Sequence, residues 1–210
     1  MKIALLGATG ATGRAFTRLA IAHGHRVQAV ARDPSAIPNQ QGLEVYPGDV
    51  RQVETLVPAV ESADAILGLF GISGLRNAFA PTDLYTVGIQ SVLDVMARTG
   101  RRRLVMVSSS AVLYDANAGF FWNRVLRPMM WPMYSDISLM ELKVAESALD
   151  WTLVRPPQLV DGPATGRLRA AVGDTAPGWS HQVCREDLAS FLLDVLERGA
   201  HVRERVVLGG

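Results

Sequence analysis

The chain holds a single cysteine, Cys184, so an internal disulfide framework and a cysteine-based zinc site are both excluded. Its four histidines, His23, His25, His181 and His201, form no H-x-x-x-H pair, and no metal is expected. Net charge is nearly absent as well. A formal charge of +1 lacks the strong basicity of a nucleic-acid binder, so no nucleic-acid partner is expected. No apolar run reaches membrane-spanning length. The first residues read as a strand, without a basic segment, apolar core and cleavage site. A soluble, cytoplasmic protein with no membrane partner is the expectation.

What is present is a folding composition: 49% of residues are hydrophobic and 20% charged. That is far from the low hydropathy of disordered chains. A length of 210 residues fits one domain, and 1–210 is read as a single unit. Short apolar runs at 2–6, 26–30, 43–47, 64–70 and 103–108 read as strands. They are apolar throughout rather than alternating, as parallel strands covered on both faces are. Between several of them lie helical patterns. In 84–100, Leu84, Val87, Ser91, Val92, Val95 and Met96 share one face. Further on, 139–150 reads as a helix, 151–155 as a strand and 167–172 as another strand. Residues 185–199 read as a helix with Leu188, Phe191, Leu192, Val195 and Leu196 inside and Gly199 at its C-terminus. The pattern predicts an α/β fold: a Rossmann-type doubly wound parallel sheet, with a small C-terminal lobe from about residue 155 covering the substrate.

Gly7, Gly10 and Gly13 stand between the first strand and the first helix in the stretch "KIALLGATGATGRAF". Glycine at these points allows tight turning, backbone approach to a pyrophosphate and close helix–strand packing. Free N–H groups at the helix start favour the anion. Gly7, Thr9, Gly10, Ala11, Thr12 and Gly13 are therefore expected to bind a dinucleotide. The second strand ends "AVARDP", which puts Arg32 at its tip, where an arginine pairs a 2′-phosphate. Arg14 is a second candidate clamp. Asp33 competes, as a carboxylate there reaches the ribose. NADPH is favoured over NADH.

With these residues in place the chain resembles the atypical short-chain dehydrogenase/reductase proteins. The resemblance is to the NAD(P)-binding group that includes flavin reductase/biliverdin-IXβ reductase and the NmrA-like regulators. The likeness spans nearly the whole chain and rests on "GATGATG", "ARDP", "GDV" at 48–50, "VSSSAVL" at 107–113, "SALDWTLVRPPQL" at 147–159, "DGPATGRLR" at 161–169 and "REDLASFLLDVL" at 185–196. The resemblance implies that Asp49 and Val50 border the adenine. It also implies that Leu69, Phe70 and Gly71 run beneath the cofactor and that Arg155, Pro156 and Pro157 pass near the nicotinamide. Each has a structural alternative: Asp49 as a helix cap, Phe70 as core, and the proline pair as the end of a strand.

Many members of the wider superfamily use a Tyr-x-x-x-Lys pair, in which the lysine holds the phenol ready for proton exchange. No such pair exists in this chain. Position 139, four before Lys143, is leucine. A reach by Lys143 to the cofactor ribose is a minor expectation. Ser108 to Ser110 end the fifth strand, and the resemblance puts Ser110, with Ser109 beside it, next to the substrate. They are the candidate catalytic residues, as orienting hydroxyls or a proton relay; the alternative is that they only satisfy backbone groups. A flavin, quinone or tetrapyrrole acceptor delocalises the charge of hydride addition and needs little acid catalysis.

Residues 120–134, "FFWNRVLRPMMWPMY", admit three readings: a lid over a flat ligand, an interface with another subunit (implying a homodimer), or core. Tyr114, Tyr134 and Pro157 are the candidate substrate-binding residues. His181 is a candidate proton donor or an exposed loop residue. The expected activity is hydride transfer from NADPH to a flat conjugated small molecule. The alternative is a non-catalytic NADP(H)-binding redox sensor acting through a protein partner.

Overall fold

The computed structural model describes residues 1–72, 74, 77, 79–113, 119–174 and 182–210. Among them, strands β1 (Lys2–Leu6), β2 (Arg26–Ala31), β3 (Leu43–Pro47), β4 (Ala65–Gly68), β5 (Arg103–Val107) and β6 (Asp150–Arg155) form the sheet's parallel core. Strands β10 (Glu204–Gly209) and β8 (Arg169–Val172) extend it, in the order β3-β2-β1-β4-β5-β6-β10-β8. Strand β10 runs parallel to β6, and β8 alone is antiparallel. Strands β7 (Gln158–Val160) and β9 (Gln182–Cys184) make a separate parallel pair. This is a Rossmann-type α/β fold. The order reverses at β1, and the crevice beyond the carboxyl ends of β1 and β4 is where such sheets take ligands.

The central strands are buried on both faces, β4 completely, which is why their sequences run apolar without alternation. Helices α1 (Ala11–Ala22) and α5 (Arg185–Arg198) pack together on one face. There Phe16, Leu188, Leu192 and Val195 cover Ile3, Leu5 and Val105. Helices α2 (Val53–Val60), α3 (Leu84–Thr99) and α4 (Trp131–Glu146) cover the other. There Ile89, Val92, Met96 and Met140 close over Leu6, Ile66 and Leu104.

Two stripes are rotated from the expected ones. On α3 the buried face is Tyr85, Gly88, Ile89, Ser91, Val92, Val95 and Met96, with Leu84 and Val87 half-buried. On α5 Leu193 is inside, while Phe191 is only partly covered. The helix expected over 139–150 is displaced: α4 starts eight residues earlier, at Trp131, and ends at Glu146. Pro132 stands in its first turn, where a missing N–H is harmless, so this proline opens a helix rather than interrupting one. Gly199 ends α5 with φ 59°, as expected of a glycine after a helix. Among the described residues no helix is long and apolar enough to cross a membrane.

Candidate active site

The glycine loop turns directly off β1. Gly7 has φ +100°, and a Cβ there would lie 2.6 Å from the carbonyl carbon of Leu69. At Gly13 a Cβ would fall 2.3 Å from Gly7 O and 2.8 Å from Ala8 Cα, so helix and loop touch at this point. Gly10 differs. Its φ is an ordinary −69°, and a Cβ there would meet only Gly7 O, at 3.4 Å. Gly10, exposed with Thr9 and Ala11, N-caps α1 without a side-chain bond, and the first turn has no acidic residue. No group among the described residues accepts from the amides of Ala11, Thr12 and Gly13. Arg14 donates to Thr9 O and sets a guanidinium beside the loop. Free amides, a helix N-terminus and an open glycine surface are what a pyrophosphate requires, so the residues present fit a dinucleotide.

At the tip of β2, Arg32 is exposed and makes no hydrogen bond or ion pair among the described residues. Asp33 is engaged: its Oδ1 accepts from Ser35 N at 3.0 Å and from Ser35 Oγ at 2.6 Å, capping a short 3-10 turn. Asp49 likewise caps a turn, accepting from Arg51 N at 2.9 Å. Val50 packs against the core.

A cavity of about 260 Å³ runs from Thr12 past Leu69, Phe70 and Gly71 to Val107, Ser108 and Ser109. Tyr85, Met133, Tyr134, Ile137, Leu159 and Leu188 complete its wall. Met133 and Ile137 stand four apart on α4, the spacing of a Tyr-x-x-x-Lys pair, and neither can exchange a proton. Lys143 is elsewhere: half-buried and outside the cavity lining, with its Nζ donating to Gln90 Oε1 at 2.7 Å, which corrects the expectation that it reaches the ribose. The ionisable groups in the described wall are the phenols of Tyr85 and Tyr134. Burial pushes both above the ordinary tyrosine value. Tyr85 OH accepts from Ile72 N at 3.3 Å, and among the described residues Tyr134 OH has only Met130 Sδ, at 3.9 Å.

Other predicted residues are placed as follows. The strand tip is stitched onward to β6, with Ser108 N on Val154 O at 2.8 Å and Ser110 N on Pro156 O at 2.9 Å. Ser109 lines the cavity, while its Oγ also accepts from Ala111 N at 3.2 Å. Ser110 begins a short 3-10 turn outside the lining, and Pro156 and Pro157 lie behind it. Phe70 belongs both to the core and to the wall. Residues 120–134 divide: Phe120, Phe121, Met129 and Trp131 are exposed, whereas Met133 and Tyr134 are buried at the cavity. Tyr114 and His181 lie outside the described residues.

Three buried polar groups have partners that the sequence did not reveal, Arg155 among them, which the resemblance placed only near the nicotinamide. Glu141 and Arg155, each 4% exposed, form a two-bonded ion pair, Nε to Oε1 at 2.9 Å and Nη2 to Oε2 at 2.5 Å. Ser108 Oγ donates to the same Oε1 at 2.5 Å. Burial alone would lower the arginine's pKa, but Glu141 and then Asp174 outweigh it and hold it above the ordinary value. Asp136 of α4 caps α3, accepting from Tyr85 N at 2.9 Å and Thr86 N at 3.0 Å. The signal for the ion pair was faint: an acidic residue on the apolar face of one helix and an arginine ending an otherwise apolar strand.

Comparisons with known proteins bear on the family and the fold. Residues 7–199 match the NAD(P)H-binding family, and the chain belongs to it. An uncharacterised Mycobacterium tuberculosis protein is 33% identical over 110 residues, which is 52% of this chain but only 12% of that longer protein. YhfK of Bacillus subtilis, described as an uncharacterised sugar epimerase, is 27% identical over 202 residues, 94% of this chain and 88% of its own. Among solved structures, the anaerobillin reductase ChuY of Escherichia coli O157:H7 superposes with a TM-score of 0.81 at 24% identity, covering 100% of this chain and 97% of ChuY. A short-chain dehydrogenase/reductase of Veillonella parvula, in complex with NADP, gives 0.80 at 17% identity, covering 100% and 94%. At these identities the structures show the shared Rossmann fold.

Proposed function

We propose that this protein is an NADPH-dependent reductase that delivers hydride to a flat conjugated small molecule. One observation carries the reading. The cavity continues from Thr12, in the first turn of α1, to the tip of β5, and its described wall has no carboxylate, imidazole or ammonium group. A described wall without a carboxylate, imidazole or ammonium group suits an acceptor that delocalises added charge, such as a flavin, quinone or tetrapyrrole.

In this reading the amides of Ala11, Thr12 and Gly13 bind the pyrophosphate, with Gly10 leaving room for it. Arg32 pairs the 2′-phosphate, its competitor Asp33 being occupied by Ser35. Asp49 and Val50 border the adenine, and Leu69 to Gly71 support the far half of the dinucleotide. When bound, the nicotinamide supplies the hydride. Met133, Ile137, Leu159 and Leu188 exclude water from the acceptor. Ser109 orients it through an O–H that has no acceptor among the described residues. Ser110 acts through its neighbour, from the turn it opens.

The test follows NADPH consumption with purified protein against FMN, FAD, several quinones and biliverdin, with NADPH binding titrated in parallel. Oxidation well above the protein-free rate is expected, with a turnover rate flat between about pH 6 and 9, where neither phenol ionises. Tight NADPH binding without turnover on any acceptor would move the assignment to a redox sensor.

A further inference from the structure

Two adjacent hydroxyls in the cavity wall have opposite unmet needs. A serine has one O–H to give, and Ser108 gives its own to Glu141 Oε1 at 2.5 Å. Arg155 grips that carboxylate through Nε and Nη2, while its Nη1 is tied to Asp174 at 2.6 Å. The acceptor-only Glu141 is thereby fixed. Ser108 lines the cavity, and its Oγ lone pairs have no donor among the described residues. Ser109 is the reverse. Its Oγ accepts from Ala111 N, and its O–H has no acceptor among the described residues.

We infer that Ser108 Oγ is a specificity-determining hydrogen-bond acceptor, locked in that polarity by the Glu141–Arg155 pair, and that the molecule reduced here presents a ring N–H to it. The inference rests on the reductase reading and narrows its acceptor. Conjugated rings with a lactam or imide N–H fit: the pyrimidine ring of a flavin, or the terminal ring of a linear tetrapyrrole. A quinone offers only carbonyl oxygens. Set against Ser108, a carbonyl meets another acceptor, and Ser108 cannot turn its proton outward without breaking from a buried carboxylate.

The experiment is calorimetric titration of the NADP⁺-loaded protein with lumiflavin, 3-methyllumiflavin, biliverdin, the lactim ether of biliverdin, and menadione. Whichever of lumiflavin and biliverdin binds more tightly identifies the ring system. Blocking its N–H is expected to weaken binding about tenfold in the wild type. The difference should vanish in Ser108→Ala and shrink in Glu141→Gln, whose amide can donate to Ser108 and free its proton. Menadione should bind weakly, and equally to wild type and Ser108→Ala. Equal binding of blocked and unblocked ligands, or menadione binding as tightly as lumiflavin, would overturn the inference alone. Loss of NADP⁺ affinity in Ser108→Ala would also overturn it, by assigning Ser108 to the cofactor. Failure of the wild type to bind NADP⁺ would instead sink the reductase reading.

Discussion

Arg155 at the end of β6 holds Glu141 of α4 in a two-bonded ion pair, with side chains only 5% and 6% exposed. Removing Arg155 leaves Glu141 charged and without its ion-pair partner in a place water cannot reach, which costs about 3–5 kcal/mol, whereas replacing both with apolar groups of similar volume is often neutral. Arg155→Ala is therefore expected to lower the stability in urea by about 3–5 kcal/mol. The double variant Glu141→Leu/Arg155→Met should recover most of that. Its retention of the fold alongside a loss of ligand discrimination would separate the pair's two roles, as scaffold and as the lock on Ser108.

A second carboxylate makes stability depend on pH. Asp187, in the first turn of α5, accepts from Thr165 N at 2.9 and 3.0 Å, Thr165 Oγ1 at 2.7 Å and Gly166 N at 3.0 Å. Burial works to raise its pKa, but these bonds outweigh burial and bring it below the ordinary aspartate value. A carboxylate with a folded pKa below its unfolded one adds stability that is complete above the unfolded value. That stability is lost as pH falls through the folded one. The wild type should hold its melting temperature above about pH 5 and lose it progressively below about pH 4. Asp187→Asn should be less stable near neutrality and show a shallower decline on acidification. Parallel curves for the two proteins would mean that the anchor for the 161–168 loop lies elsewhere.

Cofactor choice can be read out at the tip of β2. Arg32 has no partner among the described residues, and Asp33 is held by Ser35. A guanidinium–phosphate bond is worth about 1.5–3 kcal/mol, or roughly ten- to a hundredfold in affinity. Arg32→Ala should lose that much for NADPH and little for NADH, measured by fluorescence titration. Equal losses would remove the 2′-phosphate assignment. Ser35→Ala, which removes the Oγ bond to Asp33 and keeps the backbone one, should loosen the carboxylate and improve NADH binding relative to wild type.

The glycine spacing, the strand runs and Gly199 were legible because each is a local rule: turn, burial on both faces, helix stop. The polar interior was not. Glu141 and Arg155 lie on successive elements, and only the packing of α4 against β5 and β6 brings them to Ser108. The start of α4 was also hidden, because Pro132 reads as a breaker until it is placed in a first turn. That eight-residue displacement hid the consequence for chemistry. Counting from Lys143 pointed to Leu139, which is exposed, whereas the helix face at the cavity carries Met133 and Ile137. Asp136 illustrates the same limit, since it caps a helix 50 residues away that has Asp83 at its own N-cap position.

The glycine loop offers the sharpest separation of fold from binding. A methyl at Gly13 would stand 2.3 Å from Gly7 O, a backbone atom that cannot move without shifting β1 or α1. Gly13→Ala should therefore destabilise the protein by about 1–3 kcal/mol, an overpacking cost visible in urea unfolding without any ligand. A methyl at Gly10 would touch only Gly7 O at 3.4 Å, with the backbone at an ordinary φ of −69°. Gly10→Ala should leave stability within about 0.5 kcal/mol of wild type. Yet Gly10 directly precedes the free amides at the start of α1, where a pyrophosphate must approach the backbone, and a methyl there narrows that approach. NADPH affinity should fall at least about tenfold in this stable variant, a loss of about 1.4 kcal/mol. Unchanged affinity in Gly10→Ala would mean that the phosphates bind away from this loop, and that its glycines serve packing alone.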